Sequence, residues 1–434
     1  MILTNPVVIA VIVLLVMCFL RVNVLLALVI ASVVAGLVSG MDIGTTIDTF
    51  ITGCGTDPET AVAYVLLGGL AAAISYTGVS DILAVKIAKG ISGKRLAFVF
   101  LIAFFSCFSQ NLIPVHVAFI PILIPPLLIV MNKLKIDRRA VACALAFGLR
   151  APYVTIPVGF GALYHGILST NITQNGMPLG EMEVWKYTWP LGLAMLVGLI
   201  FAVLVLYRKP REYKDVEGVA VDLDTVDTTM TFKHWMALVG AVATMVVQLA
   251  TDSLPMGAVA GLAIMFITRA VKWSDMDQIV DEGVKLMGFI AFVMLASNGF
   301  SLVLSESGAV ADLVESSLAF IGGNKFLGAF VMMLVGLVIV MGTGTSFGTV
   351  PVLAVLYVPL CGELGMGVAA TTMLIAAAST IGDTGSPVSD TTLAPTAGLN
   401  ADGQHDHIWD TCVPTFIASD IPIFILACLC PLFF

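Results

Sequence analysis

Residues 6–40 read PVVIAVIVLLVMCFLRVNVLLALVIASVVAGLVSG, two apolar blocks (6–20 and 22–40) parted by Arg21. Blocks near twenty residues match a hydrocarbon core about 30 Å thick at about 1.5 Å of rise per helical residue. Similar blocks recur at 188–207 and 412–430. Strict apolar/polar alternation is absent, which argues against a β-barrel. Over all 434 residues, 59% are hydrophobic, 11% are charged, and mean hydropathy is +1.03. Soluble domains carry about 25% charge. Charge at 11% cannot cover a water-exposed surface of this size, so lipid is the main solvent. The fold class read from these facts is an all-α polytopic membrane protein. No basic stretch or cleavage site precedes the first block, so 6–20 reads as a retained span, not a signal peptide.

Formal net charge is −9, with much of the acid between Glu212 and Asp227. No basic stripe suggests a nucleic-acid partner. The eight cysteines (Cys18, Cys54, Cys107, Cys143, Cys361, Cys412, Cys428 and Cys430) form no CxxC pair and no Cys/His cluster. They read as small packing residues, not as a metal site or disulfide framework.

About fourteen apolar segments lie near 6–20, 22–40, 59–77, 96–112, 114–131, 139–166, 188–207, 234–250, 254–271, 285–304, 325–342, 345–361, 365–385 and 411–433. The stretches 96–131 and 325–361 each have a polar break, so each is a span pair or a re-entrant hairpin, giving 12–14 transmembrane segments. Lys86, Lys89, Lys94 and Arg95 cluster in one loop, and Lys133, Lys135, Arg138 and Arg139 in another on the same side. Arg208, Lys209, Arg211, Lys214 and Lys233 follow on that side, which the positive-inside rule makes cytoplasmic.

A shift of 230 residues aligns 78–161 with 308–391 without a gap. Gly78 then meets Gly308, Gly93 meets Gly323, Pro121 meets Pro351 and Pro157 meets Pro387. Only 12 of 84 positions are identical, but glycine and proline mark turns and helix breaks. VAGL at 34–37 has a further counterpart at 259–262, at a shift of 225. Loops 78–95 and 132–139 carry eight basic residues, whereas 308–325 and 362–369 carry only Lys325. Equivalent loops therefore face opposite sides, as in an inverted-topology repeat. The expected organisation is an N-terminal half (1–207), a cytoplasmic linker (208–232) and an inverted C-terminal half (233–434).

Two breaker-rich stretches interrupt the second half: GTGTSFGTVP at 342–351 and GDTGSPVSDTT at 382–392. Their partners are 112–121, with His116, and 152–162. Helices break inside a bilayer only where protein or water covers the break. Hydroxyls and freed carbonyls are hard oxygen ligands for a small cation. Intramembrane acids mark pathways and proton relays, which singles out Asp383 and Asp390. Seven apart, they share one helical face or flank Pro387; alternatively Asp390 caps the next segment. Thr343, Thr345, Ser346 and Thr349 are cation ligands or merely cap and pack. Arg150, opposite Thr380 in the repeat, should come near Asp383. It forms a structural ion pair, receives a substrate carboxylate bidentately, or snorkels to the surface. His116 relays protons, contacts substrate or is simply buried. Asp420, in IASDIP, reads as a helix contact. Asn298 binds an ion or caps a broken helix. His405 and His407, in QHDHIWD, read as a solvated loop.

GTGTSFGTVPVL, STIGDTGSPVSDTTLAP and DHIWDTCVP resemble the bacterial Na+/H+ antiporter family of the NhaC type, in the ion transporter superfamily. The resemblance is strong over 290–415 and extends over nearly the whole chain. It implies a multi-pass carrier, not an enzyme, in the cytoplasmic (inner) membrane. It implicates Thr343, Thr345, Ser346, Asp383, Ser386, Ser389, Asp390 and Thr391. Similar-looking members carry amino acids or other small carboxylates. The leading expectation is Na+/H+ antiport with sodium at Asp383, Thr345 and Ser346. The alternative is a Na+- or H+-coupled permease for an amino acid or small carboxylate. No cofactor is expected beyond the coupling ions, and a homodimer is one assembly compatible with this reading. An intramembrane aspartyl protease would need its acids on separate facing helices, and a channel would not need the repeat.

Overall fold

Caps written into the sequence start many of the helices. Asn5, Asn23, Asp42, Asp137, Asn324 and Ser389 each accept a backbone N–H of the first turn that follows. The computed structural model describes residues 4–56, 58–79, 82, 94–108, 119–158, 160–214, 228–251, 253–310, 312–313, 323–346 and 348–434. All regular structure among them is helical. The first part of the chain contains α1 (Pro6–Phe19), α2 (Val24–Val38), α3 (Ile43–Cys54), α4 (Pro58–Thr77), α5 (Arg95–Ser106), α6 (Phe119–Lys133), α7 (Arg138–Thr155), α8 (Phe160–Gln174) and α9 (Glu181–Leu206). The second contains α10 (Phe232–Thr251), α11 (Leu254–Ile267), α12 (Met276–Glu306), α13 (Lys325–Thr343), α14 (Thr349–Glu363), α15 (Val368–Thr380), α16 (Asp390–Leu399) and α17 (His407–Leu432). The protein is an all-α polytopic membrane protein.

Among the described residues, four stretches are long and apolar enough to cross alone: α9, Met287–Glu306 of α12, α13 and α17. Most other apolar helices run only 10–17 residues. The block 139–166 is two helices, α7 and α8, bent by 48°. Pro157 and the extended Ile156 separate them. Helices α3 and α16 escaped notice because Thr45, Thr46 and Asp48, and Thr391, Thr392 and Thr396, dilute their hydropathy. Helix α16 sits inside the helical assembly, where neighbouring helices cover Thr391 and Thr392, whereas α3 lies at its surface and buries only Thr46 and Gly53.

Helix starts repeat at 230 residues: Val24 with Leu254, Arg95 with Lys325 and Arg138 with Val368. Left-handed residues fall in the same register, Gly78 with Gly308 and Lys135 with Gly365. The VAGL match at a shift of 225 is not structural. Residues 34–37 lie in the last turns of α2, whereas 259–262 lie in the middle of α11. Packing partners also exchange: α4 packs on α11 as α12 packs on α2, and α6 packs on α16 as α14 packs on α8.

The core is built on α7 and α15. All of α7 except Arg139, Phe147 and Thr155 is buried, and so is α15 from Ala370 onward. A helix buried on all faces has no amphipathic stripe, and small residues let such backbones approach. A Cβ on Gly148 would fall 2.2 Å from Ser106 Cβ, and one on Gly336 2.6 Å from Ala378 Cβ.

At the start of α7, Arg138 is fully buried and grips Asp402 bidentately, at 2.6 and 2.5 Å. It also donates to Leu399 O at 2.9 Å, and its guanidinium lies 4.1 Å from the Tyr213 ring centroid. Arg211 donates to Asp410 Oδ1 at 2.6 Å, and Lys214 N to Gln404 Oε1 at 2.8 Å. The linker's first residues are thus stitched to the loop before α17. That loop is not simply solvated: His405 is 3% exposed, with Nε2 2.7 Å from Thr411 Oγ1. The carboxylates that made QHDHIWD look hydrophilic are consumed in caps and ion pairs, so the histidines fold inward.

Candidate functional site

The two breaker-rich stretches form the site. Helix α13 ends at Thr343, where Gly344 takes φ 62°, and α14 restarts at Thr349. Lys325 Nζ donates to Gly365 O at 2.7 Å, so the outer ends of α13 and α14 meet and 344–348 is the tip of a helical hairpin. The tip is buried in protein: Thr343, Ser346 and Thr349 are each 3% exposed or less. It presses on the second break. A Cβ on Gly344 would fall 2.8 Å from Val388 Cγ2 and 3.0 Å from Ser389 N.

Helix α15 ends at Thr380, Ile381 is extended, and Gly382 takes φ 87° to open a turn that runs to Ser389. Ser389, not Asp390, caps α16: its Oγ accepts from Thr391 N at 3.2 Å. Asp383 and Asp390 therefore flank the break instead of sharing a helical face.

Arg150 enters this space from α7, before the bend at Ile156. Its Nη2 forms an ion pair with Asp383 and lies 3.6 Å from Asp390 Oδ1. Its Nη1 donates to Ser346 Oγ at 3.2 Å, and its Nε to Thr391 Oγ1 at 2.9 Å. Its guanidinium also lies 5.0 Å from the Tyr153 ring centroid. Asp383 is saturated: Ser346 Oγ donates to Oδ2 at 2.7 Å and Ser389 Oγ donates to Oδ1. Asp390 is held more loosely, by Tyr64 Oη at 3.0 Å and Thr391 Oγ1 at 3.2 Å. Its side chain is 11% exposed against 0% for Asp383, so Asp390 is the carboxylate at the accessible edge.

The remaining sequence candidates divide. Ser386 supports the break, donating from Oγ to Met341 O at 2.9 Å. Thr349 caps locally, donating to Thr345 O at 3.1 Å and Ser346 O at 2.9 Å. Thr345 is half-buried, and its hydroxyl bonds neither carboxylate among the described residues, so the Asp383–Thr345–Ser346 set is only partly assembled. Thr343 Oγ1 is buried with no hydrogen-bond partner among the described residues, an oxygen left available for a cation. Asn298 caps no break, because α12 is continuous; its neighbour Ser297 donates to Thr343 O instead. His116 lies outside the described residues.

Three participants were not singled out. Tyr64 gives no sequence signal beyond a hydroxyl in an apolar helix. Tyr153 was findable, because the shift of 230 makes it the counterpart of Asp383. His407 reaches the second break: Nε2 donates to Pro387 O at 2.9 Å, which leaves Nδ1 to accept from Thr396 Oγ1 at 2.8 Å. A cavity of about 480 Å3, lined in part by Arg21, Lys285, Thr396, Asn400 and His407, adjoins this side of the break.

Buried charge and hydroxyls gathered at broken helices within a polytopic membrane protein define the class of membrane transporters. The chain belongs to the Na+/H+ antiporter family, whose model matches residues 144–430; a second, Na+-H+ antiporter family model matches 5–91. It is 45% identical to the putative amino acid transporter YuiF of Bacillus subtilis, over 97% of this chain and 98% of that one. It is 44% identical to an uncharacterized membrane protein of Vibrio parahaemolyticus, over 97% of this chain and 98% of that one. The crystal structure of the Alcanivorax borkumensis YdaH transporter aligns with a TM-score of 0.48 at 14% identity, covering 90% of this chain and 89% of that chain.

Proposed function

We propose that this chain is a secondary active transporter that exchanges Na+ for H+ across a bacterial cytoplasmic membrane by alternating access. One observation carries the reading: two buried carboxylates, Asp383 and Asp390, converge on one guanidinium, Arg150. Counting the described residues, both acids ionised would give the centre one negative charge more than Arg150 neutralises. Uncompensated charge is costly at membrane depth, so the centre demands one monovalent cation or one proton. Asp390 offers the excess charge, Ser389 and Thr391 supply hard oxygens beside it, Ser346 supplies one beside Asp383, and Thr343 Oγ1 is a further unpartnered oxygen of the tip among the described residues. Inverted halves, 1–207 and 233–434 with 208–232 between them, provide the two access states. Na+ and H+ are the coupling ions, and no cofactor enters the cycle.

A second reading has its own support. Arg150 and Asp390 stand side by side at 3.6 Å, a pair that complements the carboxylate and ammonium of an amino acid. The Bacillus subtilis relative is named a putative amino acid transporter. Proteoliposomes separate the two. A sodium pulse that drives proton movement with no organic solute present supports antiport. Counterflow of a labelled amino acid without such proton movement overturns it.

A further inference from the structure

We propose that Asp420 is a second proton-binding site, separate from the Arg150 centre and coupled to it through the turn that carries Asp383. The proposal rests on the reading of the chain as a proton-exchanging carrier. Asp420 ends a π-helical turn, Phe416–Asp420, within α17, a local widening that often accompanies function. Its side chain is fully buried. Oδ1 accepts from Thr384 Oγ1 at 2.5 Å. Oδ2 has no hydrogen-bond partner among the described residues. It is aimed at the second break, since a Cβ on Gly385 would fall 2.6 Å from it.

No cation neutralises Asp420. The ionisable side chains that act on it are Asp383, across the turn, and Arg150, behind it. Arg150 is already committed to Asp383 and Asp390. Lys186 on α9 and Lys325 on α13 belong to helices packed around α17, but both lie at exposed ends. A metal ion needs about six hard oxygens. Among the described residues Thr384 Oγ1 is the one side-chain oxygen bonded to the carboxylate, and a Cβ on Gly385 would fall 2.7 Å from Phe416 Cδ2. Beside the turn lies an apolar cavity of about 250 Å3, lined by Leu15, Met341, Pro387 and Phe416 among others. A proton needs one oxygen, and Oδ2 supplies it.

The coupling follows from position. Thr384 is the residue after Asp383, and its bond fixes Asp420 to that turn. When Asp420 loses its proton, the field at the centre becomes more negative and a cation is drawn in. A cation at the centre in turn favours proton release from Asp420. That reciprocity is the linkage an exchanger needs.

Infrared difference spectroscopy on the full-length protein in lipid vesicles tests this. The wild type should show a protonated-carboxyl band, retained in Asp390→Asn, that titrates with pH and whose titration moves to lower pH when sodium is added. Asp420→Asn should abolish the band, retain labelled-sodium exchange and lower the number of protons moved per sodium. Should that variant fail to fold, Thr384→Val must shift the band's frequency, because it removes the hydroxyl that donates to Oδ1. A band that survives in Asp420→Asn, or that ignores Thr384→Val, overturns the proposal. A wild type without sodium-driven proton flux would sink the antiport reading, while the band would still decide the fate of Asp420.

Discussion

Tyr153 and Asp383 occupy equivalent positions 230 residues apart, and both face the same guanidinium. One half supplies an aromatic face and the other a carboxylate. The repeat is thus symmetric in backbone and asymmetric in chemistry. That asymmetry concentrates negative charge on the second-half break and leaves the first half to hold the arginine.

Removing one partner of the buried pair should be far worse than removing both. Breaking a buried ion pair typically costs about 3–5 kcal/mol, whereas replacing it with packed apolar residues is often neutral. Asp383→Asn should therefore abolish transport and lower stability by about that amount. Combining Arg150→Met with Asp383→Leu should recover much of the stability without transport. Thermal unfolding in detergent reads the first quantity and vesicle flux the second. Additive losses in the double variant would show that the pair is not the organising contact.

Tyr64 reports on whether Asp390 is ionised. Its hydroxyl donates to Asp390 Oδ2 at 3.0 Å, while the similarly buried Tyr357 donates to the neutral Met332 O at 2.7 Å. A bond to a charged acceptor is worth about 1.5–3 kcal/mol and a neutral one about 0.5–1.5 kcal/mol. Tyr64→Phe should accordingly cost more stability than Tyr357→Phe, measured by denaturant titration in mixed micelles. Equal losses would mean that Asp390 is neutral at rest, and the excess charge assigned to the centre would vanish.

Membrane residence was legible because every apolar block contributes to it independently. The breaks were legible too, since Gly344, Gly382 and Pro387 interrupt apolar runs that nothing else would interrupt. Arg150 meeting Asp383 followed from the repeat register. Less was visible where contacts depend on depth and angle. Thr345 and Ser346 look alike in sequence, yet only Ser346 points its hydroxyl at Asp383. Tyr64 and Asp420 belong to elements remote in the chain, and no spacing rule brings them to 381–390. Arg138 looked like one more positive charge in a loop, whereas packing of the linker buries it against Asp402.

The hairpin tip contains two glycines with opposite expectations. Gly344 sits at φ 62° with Val388 and Ser389 within 3.0 Å of any added Cβ. Gly348 has ordinary φ and meets only Thr345 Cγ2, at 3.7 Å. Left-handed conformation alone costs a non-glycine residue about 1–2 kcal/mol. Gly344→Ala should lose stability by at least about that amount and displace the tip from Ser389, with loss of flux. Gly348→Ala should behave as wild type in both assays. Wild-type flux in Gly344→Ala would mean that the tip does not bear on the break.

Acid sensitivity should trace to His405, in the loop before α17. Burial holds its imidazole down to about 3 from an ordinary 6.5, ahead of the opposing pull of Asp410. Between those values the unfolded chain takes up a proton that the folded chain refuses, so stability falls as pH drops below about 6.5. Asp402 acts lower on the scale. Although burial opposes it, the bonds and charge of Arg138 hold its carboxyl below the usual carboxylate range. Its stabilisation is therefore present above its unfolded value of 3.8 and is lost only as pH falls through the lower folded one. In the window between about 6.5 and 3.8, His405 thus contributes to the decline while Asp402 does not. His405→Asn should flatten the decline in unfolding midpoint across that window, even if it lowers the midpoint near neutrality by breaking the contact with Thr411. A parallel decline in variant and wild type would place the acid sensitivity elsewhere. A flattened one would show that the proton refused by the buried His405 is taken up on unfolding.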